Sequence, residues 1–130
     1  GESNDVYGYG VYATSTTTGY AGYFVGKVKV AGSLATAYVK KTANYTASIY
    51  DSVIAVETSS VAITIYLPAA SGCAGRVYTI KKVDSTGNYV IVNGDASETI
   101  DGELTYDLTA QWKYVTVVSD GDNWLIVGKN

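Results

Sequence analysis

The sequence contains no histidine, no methionine and a single cysteine, Cys73, in 130 residues. Without histidine the chain lacks the commonest general base, and a zinc site would have too few ligands. A lone cysteine forms no intrachain disulfide, and as a catalytic thiol it would need a cationic partner, for which only Arg76 is near in sequence. We therefore predict that the chain is not an enzyme and binds no cofactor.

Charge is also scarce, with nine basic and twelve acidic residues and a net charge of −3. Nucleic-acid binding requires a basic stripe that neutralises phosphates, so we expect no nucleic-acid partner. No apolar run approaches the roughly 20 residues of a membrane-spanning helix, so we expect no membrane insertion. Because methionine is absent, we interpret the sequence as a piece of a longer protein.

Tyrosine is the residue in excess, with thirteen copies accompanied by many threonines and valines. These residue types favour the pleated, half-buried surface of a β-sheet. No window shows the 3.6-residue apolar period that indicates a helix. The composition and the patterning together predict an all-β protein.

The first part of the chain, residues 1–35, is rich in glycine, tyrosine, threonine and serine. Glycine alternates with bulky residues over 6–12 and again over 19–26, and residues 27–30 alternate lysine with valine as in one short strand. Such a segment has little core of its own, but winding against other copies would cover its edges. We predict an intertwined shaft and trimerisation segment over 1–35; a flexible linker is the alternative.

The second part, residues 36–130, carries longer strand signals with turn residues every 8–12 positions. One example is the strand ending at Pro68, in which Val61, Ile63, Ile65 and Leu67 share a face. The predicted strands span residues 45–50, 53–58, 61–67, 76–83, 89–93, 111–118 and 124–127. This spacing predicts a small antiparallel β-sandwich as the tip domain.

Two details of the tip domain follow from local pattern. The segment DSTGN at 84–88 is predicted to be a hairpin turn between neighbouring strands, with Gly87 at a positive φ. The strand at 124–127 is apolar on both faces, so a second sheet or a partner subunit should cover its outer side.

Four motifs occur in order over about residues 53–127: LPAA at 67–70, YTIKKVDSTGN at 78–88, IDG at 100–102 and VSDGDNW at 118–124. In this order they resemble a C-terminal domain common in phage tail fibres and related prophage structural proteins. The segment GYAGYF at 19–24 resembles fibre-shaft repeats found just before such domains. The resemblance implies a virion protein outside the cell, a homotrimer with an intertwined shaft and a β-structured tip, which serves host attachment or fibre assembly.

Aromatic side chains are the candidate ligand contacts, because tyrosine and tryptophan offer a flat apolar face with a polar handle to a sugar ring. Trp112, Tyr106 and Tyr114 are predicted to bind a host cell-surface glycan or protein receptor. Trp112 has the more polar sequence neighbours, whereas Trp124 is assigned to the core. Packing in the core or in a subunit interface is the alternative for each of them.

Acidic residues could offer other chemistry. A glycosidase needs two carboxylates across a sugar cleft, and five acids stand between 95 and 107, but several fall at predicted turns and are interpreted as turn formers. Asp120, Asp122 and Asn123 lack the loop length and distal glutamate of an EF-hand, so no metal site is predicted.

Two other functional classes stay open. A monomeric carbohydrate-binding module or bacterial adhesin domain would share the sandwich and the exposed aromatics without needing a trimer. A purely structural fibre- or filament-assembly domain would have no receptor of its own. Mass in solution separates the first from a trimeric fibre tip, in which three weak sites gain avidity. Glycan binding separates the structural assembly domain from an attachment module, because only the attachment module would bind glycans.

Overall fold

The computed structural model describes residues 11–16 and 19–130, which divide into one unit ending at Leu34 and another spanning Ala35–Asn130. The described residues of the first unit contain no strand and no helix. Residues 27–30, predicted as one short strand, form none in this single chain, and the described residues offer them no neighbouring strand with which to form a ladder. The glycine-rich stretch 6–10 lies outside the described residues, and the shaft stays a prediction.

The second unit is built of β-strands, which confirms the predicted all-β class. Apart from the short 3₁₀ turn Ala70–Gly72, the described residues form no helix, and none of their helical segments is long and apolar enough to cross a membrane. The strands are β1 Tyr38–Lys41, β2 Tyr45–Thr46, β3 Val53–Val56, β4 Ile63–Tyr66, β5 Val77–Lys82, β6 Val90–Asn93, β7 Thr105–Leu108, β8 Tyr114–Ser119 and β9 Trp124–Lys129.

The first six strands alternate between two sheets. β1, β3 and β5 lie side by side and parallel in one sheet, and β2, β4 and β6 do so in the other. Each successive strand pair is therefore one turn of a coil that crosses from the first sheet to the second and back. Parallel neighbours require such crossover connections, because a tight hairpin joins only antiparallel strands.

The last three strands close the coil with antiparallel pairs. β7 pairs with β6, β8 pairs with β5, and β9 pairs with β8. The sheet orders are thus β1-β3-β5-β8-β9 and β2-β4-β6-β7. Both sheets are mixed, so the predicted wholly antiparallel sandwich is wrong. The physical reason is that most turns carry the chain across to the opposite sheet instead of returning it beside the strand just made.

The segment 84–88 illustrates this correction. It joins β5 in one sheet to β6 in the other and is not a hairpin turn, and Gly87 does not have a positive φ. The turn is held instead by Asp84, whose carboxylate accepts hydrogen bonds from the backbone N–H and the hydroxyl of Thr86 at 2.9 and 2.5 Å. A short aspartate side chain that binds the backbone two residues on is a turn former without any glycine.

The inner faces of the two sheets form a single hydrophobic core. Ile63, Ile65 and Leu67 are buried in it as their alternation predicts, whereas Val61 is exposed just before β4 begins. Trp124 is fully buried, which confirms its assignment to the core, and its ring centroid lies 5.6 Å from that of Tyr78. The core fixes which side chains of each strand point outward.

Strand direction places the connections of the second unit at two ends. The upper end contains residues 42–44, 57–62, 83–89 and 109–113, and the lower end contains residues 47–52, 67–76, 94–104 and 120–123. Hydrogen bonds join the loops within each end: at the upper end Asn88 Nδ2 donates to the Ser59 carbonyl at 3.0 Å. The two ends have different chemistry.

Candidate functional site

Trp112 occupies a strained position in the upper-end turn 110–113. The turn is closed by the Lys113 N–H, which donates to the Ala110 carbonyl at 3.2 Å, and Trp112 at its third position has a φ of 69°. A positive φ at this place is typical of type II turns, where glycine or asparagine is usual. A bulky residue held in such a region costs on the order of 1–3 kcal/mol. The chain therefore keeps a tryptophan here against its backbone preference.

The backbone of Trp112 is held from both sides. Its N–H donates to the Lys82 carbonyl at 2.9 Å, and its own carbonyl accepts from Lys81 Nζ at 2.9 Å and from Asn130 Nδ2 at 3.3 Å. The Asn130 side-chain oxygen in turn accepts from the Tyr114 N–H at 2.9 Å. Trp112 nevertheless stays 55% exposed, so these bonds fix an aromatic residue at the surface.

Lys81 places a positive charge beside two aromatic rings. Its Nζ lies 5.9 Å from the Trp112 ring centroid and 5.5 Å from that of Tyr114. The β5–β8 register puts Lys81 directly opposite Tyr114 on the outer face of the sheet. Ammonium groups at this range are attracted by the ring faces. Trp112, Tyr114 and Lys81 are called the aromatic patch below.

Tyr106 lies away from the aromatic patch. Tyr106 lies on β7 and pairs with Val92 of β6, and its half-buried side chain packs against the core. Lys129 Nζ lies 5.4 Å from its ring centroid, so the pair spans the edge strands β7 and β9. The structure thus brings together two of the three predicted ligand residues, and that any of them binds a ligand stays a prediction. Lys81 was missed, because only the strand register reveals it.

A buried ion pair anchors β5 beneath the aromatic patch. The Lys82 side chain is fully buried, and its Nζ donates to Asp84 at 2.6 Å and to the Thr58 hydroxyl at 3.0 Å. The Thr58 N–H also donates to Asp84 at 2.7 Å. Burial by itself favours the neutral carboxyl, but the hydrogen bonds from Lys82, Thr86 and Thr58 outweigh it and hold the pKa of Asp84 well below its usual range. The strand that carries Lys81 is therefore firmly placed.

The charges of the second unit are separated between its ends. The upper end and the strand termini that meet it carry six lysines and three carboxylates, Glu57, Asp84 and Asp107, and the lower end carries seven carboxylates and one arginine. The lysines are Lys40, Lys41, Lys81, Lys82, Lys113 and Lys129. The lower-end carboxylates are Asp51, Asp95, Glu98, Asp101, Glu103, Asp120 and Asp122. A chain of net negative charge thus carries an excess of positive charge at the end that holds the aromatic patch, although Lys82 is buried and Lys40 is paired with Glu57.

Several lower-end carboxylates bind the backbone. Both oxygens of Glu98 accept from the Ala70 N–H at 3.0 Å, and Asp101 accepts from the Ile126 N–H at 2.9 Å. The backbone N–H groups of Asn123 and its neighbour bind Asp120 and lower the pKa of that carboxyl. These contacts agree with turn formation. Across the described residues, no three His, Cys, Asp or Glu side chains come together as a metal site.

A shallow cleft of about 410 Å³ opens at the upper end, on the first turn of the coil. It is lined by Thr42, Ala43, Asn44, Ser59, Val61, Ala62 and Ile63. None of these side chains is charged or aromatic, although the volume suits a small ligand. The aromatic patch therefore has the chemistry that the cleft lacks.

Neither a scan against protein-family models nor a search of curated proteins finds a match to this chain. The resemblance to phage tail-fibre domains thus depends on the four motifs themselves. The structure shows what two of them do: the Trp124 N–H donates to the Thr99 carbonyl at 2.9 Å, and the Asp101 N–H donates to the Trp124 carbonyl at 3.0 Å. These motifs bind one another at the lower end and are structural.

Proposed function

We propose that this chain is a structural and attachment module of a phage tail fibre, with the aromatic patch as its contact to the host surface. The observation that carries the proposal is Trp112, an exposed tryptophan kept at a positive φ by hydrogen bonds to both sides of its backbone. Its conformation costs stability, and its ring gains little burial. Residues that break a local rule without a compensating structural gain are expected at functional sites.

Assembly as a homotrimer is supported by the first unit. Its described residues expose nine large apolar side chains, each more than half accessible: Val11, Tyr12, Tyr20, Tyr23, Phe24, Val25, Val28, Val30 and Leu34. Apolar surface on this scale usually marks an interaction site. Two further copies of the same segment would cover it, as in the predicted shaft over 1–35.

Three copies would place three aromatic patches at one fibre end. Each patch is small, so a single contact with a surface glycan or protein receptor would be weak. Joined sites rebind at a high effective concentration, and avidity can exceed the single-site affinity by orders of magnitude. A fibre module outside the cell, in the virion, would attach in this way without chemical change of its receptor.

Attachment is tested by a bacterial-glycan array probed with the wild-type protein and with Trp112→Gly. Glycine accepts the positive φ, so this variant removes the ring and leaves the turn unstrained. We expect glycan binding by the wild type and its loss in the variant. An array without signal, or equal signal from both proteins, contradicts the proposed site.

Light scattering after size exclusion tests the assembly. A mass of three chains that survives dilution supports the fibre. A single-chain mass contradicts the trimer, and together with glycan binding it would favour the monomeric carbohydrate-binding module. A trimer that binds no glycan and no host cell would favour a domain for fibre assembly alone.

A further inference from the structure

Four of the six upper-end lysines, namely Lys41, Lys81, Lys113 and Lys129, form no ion pair with a carboxylate in the described part of the chain. In the described part of the chain the ion pairs join Lys40 to Glu57 and Lys82 to Asp84. Lys81 uses one of its three donors on the Trp112 carbonyl, which is a neutral group. This leaves an ammonium without a carboxylate partner over one side of an exposed tryptophan ring.

The position of this ammonium selects the chemistry of a ligand. A sugar stacked on Trp112 beside Lys81 would bring its ring substituents close to Nζ of this partly buried residue, which lies 5.9 Å from the ring centroid. A neutral hydroxyl there would gain one ordinary hydrogen bond. A carboxylate or a phosphate would form a charge-assisted hydrogen bond, which is roughly twice as strong.

We propose that the aromatic patch binds an anionic glycan, with a sugar ring stacked on Trp112 and its acidic group paired with Lys81. The inference rests on the proposed attachment function and names the ligand class of that site. The charge separation between the ends favours it further. An anionic polymer is attracted to the upper end and repelled by the seven lower-end carboxylates, so it approaches the patch preferentially.

Binding to three soluble polymers tests the inference: polygalacturonate with carboxylates, poly(glycerol phosphate) with phosphodiesters, and neutral dextran. Biolayer interferometry on the intact chain would compare the wild type with Lys81→Gln, which keeps a donor for the Trp112 carbonyl and removes the charge. Lys40→Gln is the matched control, because it changes the net charge equally at a lysine already paired with Glu57.

We expect at least one anionic polymer to bind, and its affinity to fall about ten-fold in Lys81→Gln and less than about two-fold in Lys40→Gln, as expected for loss of one local ion pair. Raising the salt from about 0.05 to about 0.3 M should weaken binding, because screening shortens the range of the attraction. The polymer that binds decides between a carboxylate and a phosphate.

Three outcomes would overturn the inference. Dextran could bind as well as the acidic polymers, Lys81→Gln could bind like Lys40→Gln, or none of the three polymers could bind. If array glycans are still bound by the wild type and lost in Trp112→Gly, the attachment function survives and only the anionic preference falls. If Trp112→Gly also keeps that binding, the proposed function falls with it.

Discussion

The side-chain oxygen of Asn123 accepts two hydrogen bonds from Thr99, one from the backbone N–H at 2.8 Å and one from the hydroxyl at 3.0 Å. The two residues stand on different lower-end loops, 94–104 and 120–123. Their contact lets the chain around Ile100 pair with Trp124 in a short parallel bridge. The side-chain amide of Asn123 therefore holds the loop 94–104 against the start of β9.

Asn123→Ala should lower the free energy of unfolding by about 1–3 kcal/mol, because two half-buried donors of Thr99 lose their acceptor. Chemical denaturation monitored by tryptophan fluorescence measures it, since Trp124 is adjacent. The control is Asp122→Ala in the same turn. Asp122 bonds to Asp120 through its backbone N–H, which the substitution keeps. Equal stability of the two variants would contradict the role of Asn123.

Gly94→Ala should be more damaging than its position in a loop suggests. A Cβ at Gly94 would clash with the Glu98 carbonyl oxygen, which is backbone. The turn must open to relieve the clash, and we expect a loss of at least about 2 kcal/mol in unfolding free energy. Gly87→Ala is the control, because a Cβ there meets nothing within 4 Å. A neutral Gly94→Ala would show that the turn yields freely.

Trp112→Gly and Trp112→Ala form a pair that separates strain from binding. Both remove the ring, but only glycine relieves the positive φ, so the glycine variant should be more stable than the alanine variant by about 1 kcal/mol. Thermal unfolding followed by circular dichroism measures the difference. Glycan binding should be lost in both. An alanine variant as stable as the glycine variant would mean that the turn is not strained.

Asp84→Asn should destabilise strongly, because it leaves the buried Lys82 charge without its partner; removing one member of a buried pair costs about 3–5 kcal/mol. The pKa of Asp84 is lower in the folded chain than in the unfolded chain. Its stabilising contribution is therefore complete above the unfolded value of about 3.9 and is lost as the pH falls below it.

The gap in unfolding free energy between the wild type and Asp84→Asn should accordingly shrink as the pH falls from about 5 toward about 2. Urea titrations at several pH values measure it. Glu57→Gln removes the exposed pair with Lys40, and there we expect no resolvable change in unfolding free energy, because solvent screens the pair. A gap that stays constant across this pH range would show that Asp84 does not carry the charge inferred for it.

Alternation along single strands could be predicted from the sequence. The buried face of β4 and the burial of Trp124 follow from residue type and period, with no knowledge of neighbouring strands. Sheet membership could not be predicted in this way. A turn such as 84–88 uses the same aspartate, threonine and glycine whether it returns the chain in a hairpin or carries it across to the opposite sheet.

The candidate site likewise has one part that the sequence predicts and another that depends on which strands are neighbours. Trp112 could be singled out from its polar neighbours, and its exposure agrees with that prediction. Its support by Lys81, Lys82 and Asn130 depends on which strands lie side by side, and no local pattern contains that information. Tyr106 shows the converse, because a tyrosine with polar neighbours in sequence can still face the core when it lies on an edge strand.

The coil also constrains the order in which the chain can fold. None of the pairs among the first six strands is joined by a hairpin, and partners such as Ile54 and Ile80 stand 26 residues apart. Closing such long loops costs chain entropy before the strand contacts that offset this cost can form, which slows folding. The strand pairs joined directly in sequence are β6–β7 and β8–β9, both in the C-terminal half. We therefore expect that, during synthesis, the N-terminal strands β1 and β2 pair stably only after almost the whole domain has left the ribosome.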